Sequence, residues 1–330
     1  MSPSTDKNGG KIAVLGATTL EGARVRKALE AARVPSNRVD LYGYSDDEVL
    51  LGKYAGEARM IQAPDPVEIA THAAVLVCER GESTVRVAEQ LGQDQVVIDL
   101  VGGLPEKLGA QLVGPGNGAG EAAGGFYSVP HPLALVLSDL LSPIDRGPGV
   151  EQCVAVVVRP AVDYGEAGVE ELRQQTVRLL NFVELPMETF GRQLAFNIIP
   201  ESGLSCSVPG FEQEIARQVA VLLGWDRERL TLRFLAAPLF YGHAVELHLR
   251  TPNGSGLEEL RRVMSENGLE PGEERGPRVS TPMEVADERT IRLGELSADG
   301  LGGFWLWAVA GGSNSRAAEF AVDLARRAIR

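Results

Sequence analysis

Gly16 and Gly22 lie between a strand-like run, Lys11-Ile12-Ala13-Val14-Leu15, and a helix-like segment that begins near Leu20. An apolar strand feeding such a turn and then a helix aims backbone N–H groups at a phosphate, the first glycine allowing the bend and the last the close packing of helix on turn. The position between them, where a pyrophosphate comes nearest the backbone, is Thr19, preceded by Thr18. A β-branched residue there resists positive φ and fills space that a phosphate needs. Gly16, Thr18, Thr19 and Gly22 are therefore candidate contacts to a weakly held nucleotide, and they serve equally as an ordinary first βα turn with nothing bound. Further on, Gly43-Tyr44-Ser45-Asp46-Asp47-Glu48 places three acids in succession. They would repel a 2′-phosphate, whereas Asp46 could accept from an unphosphorylated ribose; the same acids could simply open a helix. His243 follows Gly242 at the start of an apolar run and is a candidate acid/base, or a histidine that only hydrogen-bonds locally.

The elements that must position these groups follow from pattern. Strands at 11–15, 39–43, 58–62, 74–78 and 96–100 alternate with helices near 20–32, 66–71 and 82–92. Continuous apolar strands separated by helices predict an α/β domain with a parallel sheet covered on both faces. The Gly/Pro-rich stretch 102–125 reads as loop, and a helix over 132–141 leads into a second unit. There, the β-branched run 152–159 reads as a fully buried strand, 168–180, 211–223 and 257–267 as helices, and 230–237 and 243–251 as strands. Such grouping predicts an α+β domain with one large sheet. Ala317, Phe320, Ala321, Leu324 and Ala328 recur at helical spacing, so a C-terminal helix over 314–328 is expected to return to the first domain.

Composition excludes several classes of function. The 330 residues carry 45 acidic and 32 basic side chains, a net charge of −13, which disfavours nucleic acid or an anionic membrane as partner. No stretch approaches a membrane span, and residues 1–10 read as a polar, flexible tail. Cys78, Cys153 and Cys206 are odd in number and set among apolar or small residues, as expected for packing roles in a reducing cytoplasm. The four histidines are scattered, so no metal site is expected.

The motifs taken together carry a resemblance. The turn at 11–25, the Val96–Leu100 strand, the helix after Pro132, and the segments 165–172, 194–200 and 237–249, in this order and spacing, resemble the aspartate-semialdehyde dehydrogenase family, most closely its usg-type homologues. The resemblance covers nearly the whole chain. It implies a Rossmann-type NAD(P)-binding domain over 11–130, completed by helix 312–330, a dimerisation and substrate domain over 131–311, and a homodimer formed through that second domain. It also implies the amino-acid biosynthetic reaction of the family, in which an acyl phosphate becomes an aldehyde through a thioester.

The residues that this chemistry requires are replaced. By the resemblance, the nucleophilic cysteine falls on Pro132, which follows His131 and offers no nucleophile. The acid/base histidine matches His243. The carboxylate-binding arginine falls on Ala236, the phosphate-binding arginine falls within 99–105, where there is no cation, the lysine falls on Glu214, and the thioester-positioning glutamine falls on Arg159. The resemblance thus implies a substrate pocket that includes His131, Arg159 and Glu214, weak binding of NAD or NADP at most, and a catalytically defective homologue kept as a dimeric binding or interaction protein. The alternative is an NAD-dependent oxidoreductase acting through His243 on a different aldehyde or keto substrate, without a covalent step.

Overall fold

A computed structural model describes residues 10–44, 50–92, 94, 95–104, 106–114, 124–226, 229–252, 255–269, 280–286 and 290–329. The chain forms two compact units, Met1–Pro132 with Asn314–Arg330, and Leu133–Ser313.

In the first unit, β1 (Ile12–Leu15), β2 (Val39–Tyr42), β5 (Ala74–Val77), β6 (Val96–Asp99), β7 (Gln111–Leu112) and β8 (Gly125–Ser128) form one sheet in the order β2-β1-β5-β6-β8-β7. Every pairing in it is parallel. All four residues of β1, β5 and β6 are buried. Their unbroken apolar character reflects burial on both faces, since alternation is needed only where one face meets water. The helices α1 (Leu20–Ala31), α2 (Pro66–Ile69) and α3 (Glu82–Ala88) connect the strands. The strand expected at 58–62 is one arm of a separate hairpin, β3 (Leu50–Tyr54) with β4 (Glu57–Ile61). Its two-residue turn puts Ala55 at φ 51° and Gly56 at φ 83°, the left-handed pair that matches hairpin twist. Strand β7 lies inside the stretch expected to be loop and β8 starts at its last residue, both too short to announce themselves.

The second unit begins with α4 (Pro132–Arg146). Strands β9 (Gln152–Arg159), β10 (Ile199–Pro200), β11 (Leu230–Ala236), β12 (His243–Arg250), β13 (Ile291–Ala298) and β14 (Gly303–Ala310) form a mixed sheet in the order β10-β11-β9-β12-β14-β13. The helices α5 (Gly165–Leu180), α6 (Phe211–Leu223) and α7 (Leu257–Glu266) belong to it, and α8 (Ser313–Ala328) follows β14 back to the first unit. The expectation that 152–159 is fully buried is not met. Cys153, Ala155 and Val157 are buried, while Val154 is 39% exposed and Val156 and Val158 are half-buried. This mostly antiparallel sheet leaves one face open, and period-two alternation follows from that. Across the open face run two rows set by strand register, Val156–Glu246–Trp307–Glu295 and Val154–His248–Trp305–Ser297.

Candidate functional site

Within the second unit, the end of β9 and the 3-10 turn after it (Ala161–Tyr164) gather a buried cluster of charge. Arg159 closes the β-branched strand, and its guanidinium is enclosed by the rings of Tyr164, Phe211 and Phe234, whose centroids lie 4.8, 4.9 and 5.5 Å away. Its Nε donates to Asp163 Oδ2 at 2.9 Å and its Nη1 to Glu201 Oε1 at 2.8 Å. Tyr164 donates its hydroxyl to the other oxygen of Glu201 at 2.7 Å. His243, first residue of β12, brings Nε2 to 2.9 Å from Asp163 Oδ2, so one carboxylate oxygen is shared by Arg159 and His243.

Burial sets the energetics of this cluster. Side-chain exposure is 7% for Arg159, 3% for Asp163, 7% for Glu201 and 3% for His243. Burial by itself would raise the Asp163 carboxyl, but the His243 imidazole and the Arg159 guanidinium outweigh it and hold the group well below the ordinary carboxylate range. Burial would likewise lower Arg159, and Asp163, Tyr164 and Glu201 reverse that. The result is a guanidinium already satisfied by two carboxylates and stacked among aromatic faces. Ala236, fully buried, sits directly opposite Arg159 in the β11–β9 ladder. The cation of this neighbourhood therefore comes from β9, not from β11.

The first unit presents its own candidate at the β1–α1 turn. Gly16 has φ 87°, and a Cβ there would stand 2.5 Å from Glu79 Cβ. Thr19 has φ −74° and caps α1, accepting from Gly22 N–H at 3.0 Å. Its hydroxyl lies 2.9 Å from the carbonyl oxygens of Gly16 and Cys78, either of which can take its proton. The branched side chain thus costs the turn nothing, because the positive φ falls on Gly16 and not on Thr19. The N–H groups of Gly16 and Ala17 both donate to the Tyr42 carbonyl, and that of Thr19 donates to Gly16. Much of the donor array that a phosphate would use is spent internally. Acids surround the turn: Glu21, Glu79 and Asp99 each add to the effect of burial in pushing the Cys78 thiol up. Burial also raises Glu21 and Glu79.

Gly22 is the most demanding position in the turn. A Cβ there would stand 2.2 Å from Gly16 O and 2.8 Å from Ala17 Cα, both backbone atoms that cannot swing aside. Gly22→Ala is expected to cost about 3 kcal/mol through overpacking, read as a lower thermal midpoint. A change within experimental error would mean that the turn is not held as described.

The remaining expected site residues are dispersed. Thr18 is exposed and lies beside Gly43, and Asp46 lies outside the described residues. His131 and Pro132 are half-buried, with Pro132 the first residue of α4, where its missing N–H and fixed φ suit a helix start. Glu214 is not part of the buried cluster. It lies on α6, 44% exposed, paired with Arg217 at 2.7 Å and with Gln218. The loop 99–105, which holds no cation of its own, receives one from elsewhere, since Arg80 Nε donates to Val101 O at 2.5 Å. Of the thiols, burial pushes Cys153 up to about 12 and also raises the half-buried Cys206. Among the described residues no group of His, Cys, Asp and Glu could hold a metal ion, and no helix is long and apolar enough to cross a membrane.

Asp163, Tyr164 and Glu201 were missed by reading the sequence. A charge ending a β-branched strand demands a counter-charge, and Asp163, four residues on, is the signal that could have been followed. Glu201, 42 residues from Arg159, leaves no local trace.

Comparison with known proteins agrees with this architecture. No protein-family model matches the chain. It is 26% identical to the USG-1 protein homolog of Pseudomonas aeruginosa over 77% of each chain. It is 24% identical to aspartate-semialdehyde dehydrogenase 2 of Vibrio cholerae over 97% of each. The solved structure of a probable aspartate-semialdehyde dehydrogenase from Pseudomonas aeruginosa matches it with a TM-score of 0.81 at 25% identity, covering 96% of this chain and 97% of that one. In sequence the chain is similar to USG-1 protein homologs and aspartate-semialdehyde dehydrogenases, and it shares the fold of the latter.

Proposed function

We propose that this protein has lost the thioester chemistry of its family and is retained as a dimeric binding protein. The observation that carries the reading is Arg159. Where the resemblance puts a thioester-positioning glutamine, a guanidinium lies buried and bound to Asp163 and Glu201. An anionic substrate would have to displace one of those carboxylates to reach it. The position of the nucleophile is Pro132, that of the carboxylate-binding arginine is Ala236, and the lysine position is Glu214, which would repel an anion. A thiolate is required for acyl transfer from a phosphate, and burial disfavours that form at each of the three cysteines.

A weak nucleotide site at Gly16, Thr18, Thr19 and Gly22 is compatible with this reading. NAD fits better than NADP, because the acids near the turn oppose an extra phosphate. The non-covalent oxidoreductase reading needs the His243 imidazole directed at a substrate, whereas its Nε2 faces Asp163. Three free thiols fit residence in the cytoplasm.

For assembly, the open sheet face is the surface we assign to a second copy, through Val154, Val156, Trp305 and Trp307, about a two-fold axis. Sedimentation at micromolar concentration is expected to give twice the chain mass, and Trp305→Glu to give single chains. A wild-type monomer would remove the dimer from this proposal. For the chemistry, the protein is assayed with aspartate semialdehyde, phosphate and NADP. No NADPH is expected to form; steady turnover that scales with enzyme and requires phosphate would refute the loss of activity.

A further inference from the structure

In the first unit, the ends of α1 and α8 meet around a pocket of about 420 Å³. Its lining includes Arg33, Arg38 and Arg326, over an apolar floor of Val34, Pro35 and Ile329, and no carboxylate. In a chain of net charge −13, three guanidiniums converge there, and none makes an ion pair among the described residues. Arg327, their neighbour on α8, is by contrast paired with Asp323 at 2.6 Å. Arg38 Nη1 reaches only the Ile329 carbonyl, at a long 3.5 Å.

Two helix C-termini point into this region, and basic side chains there could be no more than a response to helix dipoles. The magnitudes decide otherwise. Each helix end contributes roughly half a negative charge, about one in total, against three full positive charges. A positive excess of about two is left for something else to neutralise.

The backbone at Arg33 gives an independent sign. The end of α1 is closed by a pair of bonds, Arg33 N–H to Glu30 O at 2.9 Å and Val34 N–H to Leu29 O at 3.0 Å, with Arg33 at φ 55°. This is the closure at which glycine is the usual residue, because only glycine enters the left-handed region without steric cost. An arginine there is locally unfavourable, and its guanidinium lines the pocket. Left-handed geometry at a residue other than glycine is energetically costly and is found at ligand-binding positions among others; here it accompanies a guanidinium in the pocket lining.

We propose that this pocket is a binding site for a small, multiply charged phosphate compound, held by Arg33, Arg38 and Arg326, with the apolar floor accommodating any carbon skeleton. Guanidinium forks match phosphate oxygens in pairs, and three of them suit an anion of two or more charges. The site is separate from the β1–α1 turn and does not depend on nucleotide binding there.

The test is calorimetric titration of the full chain with inorganic tripolyphosphate at low ionic strength. Saturable binding of one anion per chain is expected, weakening as salt rises. Arg38→Ala and Arg326→Ala are each expected to weaken it about ten-fold or more. The decisive variant is Arg33→Gly, which suits the local backbone. It is expected to keep or raise the thermal midpoint while lowering affinity by a similar factor, a combination that a purely structural arginine would not produce. No saturable binding by the wild type would overturn the proposal, as would undiminished affinity in Arg33→Gly. Displacement of tripolyphosphate by saturating NADP would place the anion at the turn and overturn it equally.

Discussion

Arg159→Ala is expected to destabilise the second unit by about 3–5 kcal/mol, the scale for removing one partner of a buried ion pair. For a unit of this size that is a fall of roughly 10 °C in thermal midpoint. The loss comes from what remains: Asp163 and Glu201 stay buried, with only His243 and the Tyr164 hydroxyl to answer them. Arg159→Lys is expected to recover only part of it, because an ammonium cannot reproduce the planar fork to two carboxylates within a cage of aromatic rings. The pH dependence gives a second reading. Asp163 is held below its unfolded value, near 3.9, so its pairing contributes stability in full above about pH 4. That contribution is lost as pH falls below 4 through the depressed native value. The gap between wild type and Arg159→Ala should therefore be widest near neutrality and close in acid, where the variant's carboxyls are protonated and no longer need the cation. Equal midpoints at pH 7, measured by calorimetry or circular dichroism, would show that the cluster does not hold this part of the fold together.

Pro132→Cys is expected to introduce a thiol that reacts with iodoacetamide and yet to restore no phosphate-dependent reduction of NADP. Catalytic groups that act as a unit are strongly non-additive, and a nucleophile alone recovers little of what the set provides. Each anion-binding group absent from its expected position is worth on the order of 10²–10³ in rate where such groups stabilise developing charge. With Ala236 opposite Arg159, and with Arg159 committed to Asp163 and Glu201, the substrate carboxylate has no unoccupied cation in the second unit's cluster. The double variant Pro132→Cys with Arg159→Gln, which also releases the two carboxylates, is expected to be inactive and less stable. Turnover of aspartate semialdehyde by the single variant above that of the wild type, or a covalent acyl adduct seen by mass spectrometry, would show that the rest of the machinery persists.

The elements that carry their own signal were read correctly from the sequence. Strands β1, β5 and β6 are short apolar runs between helices, and that texture requires a parallel sheet buried on both sides. Helix α6 spans Phe211–Leu223, the bounds expected from the sequence, and Gly224 closes it in the left-handed conformation. Less was legible where burial depends on what covers a face. The β-branched run of β9 looks the same whether one side or both are covered, and only the tertiary structure, in which no described residue covers that face, leaves Val154 and Trp305 in the open. The final hairpin, β13 with β14, was passed over for a related reason. Its residues Ile291–Ala298 and Gly303–Ala310 alternate only in relation to that same half-covered sheet.

For the candidate site the division is sharper. The sequence alone determined which chemical groups the chain possesses: a proline, an alanine and an arginine at the positions where the resemblance implies a thiol, a cation and an amide, and a glycine pair at the first βα turn. Side-chain chemistry is written residue by residue, so such replacements are visible without a fold. Tertiary structure decided which of those groups meet. It set Arg159 between Asp163 and Glu201, turned His243 to Asp163, removed Glu214 to an exposed helix face, and brought three arginines together at the ends of α1 and α8. Ion pairs and buried charges depend on distance and on the exclusion of water, and both arise only when segments far apart in the chain are packed together.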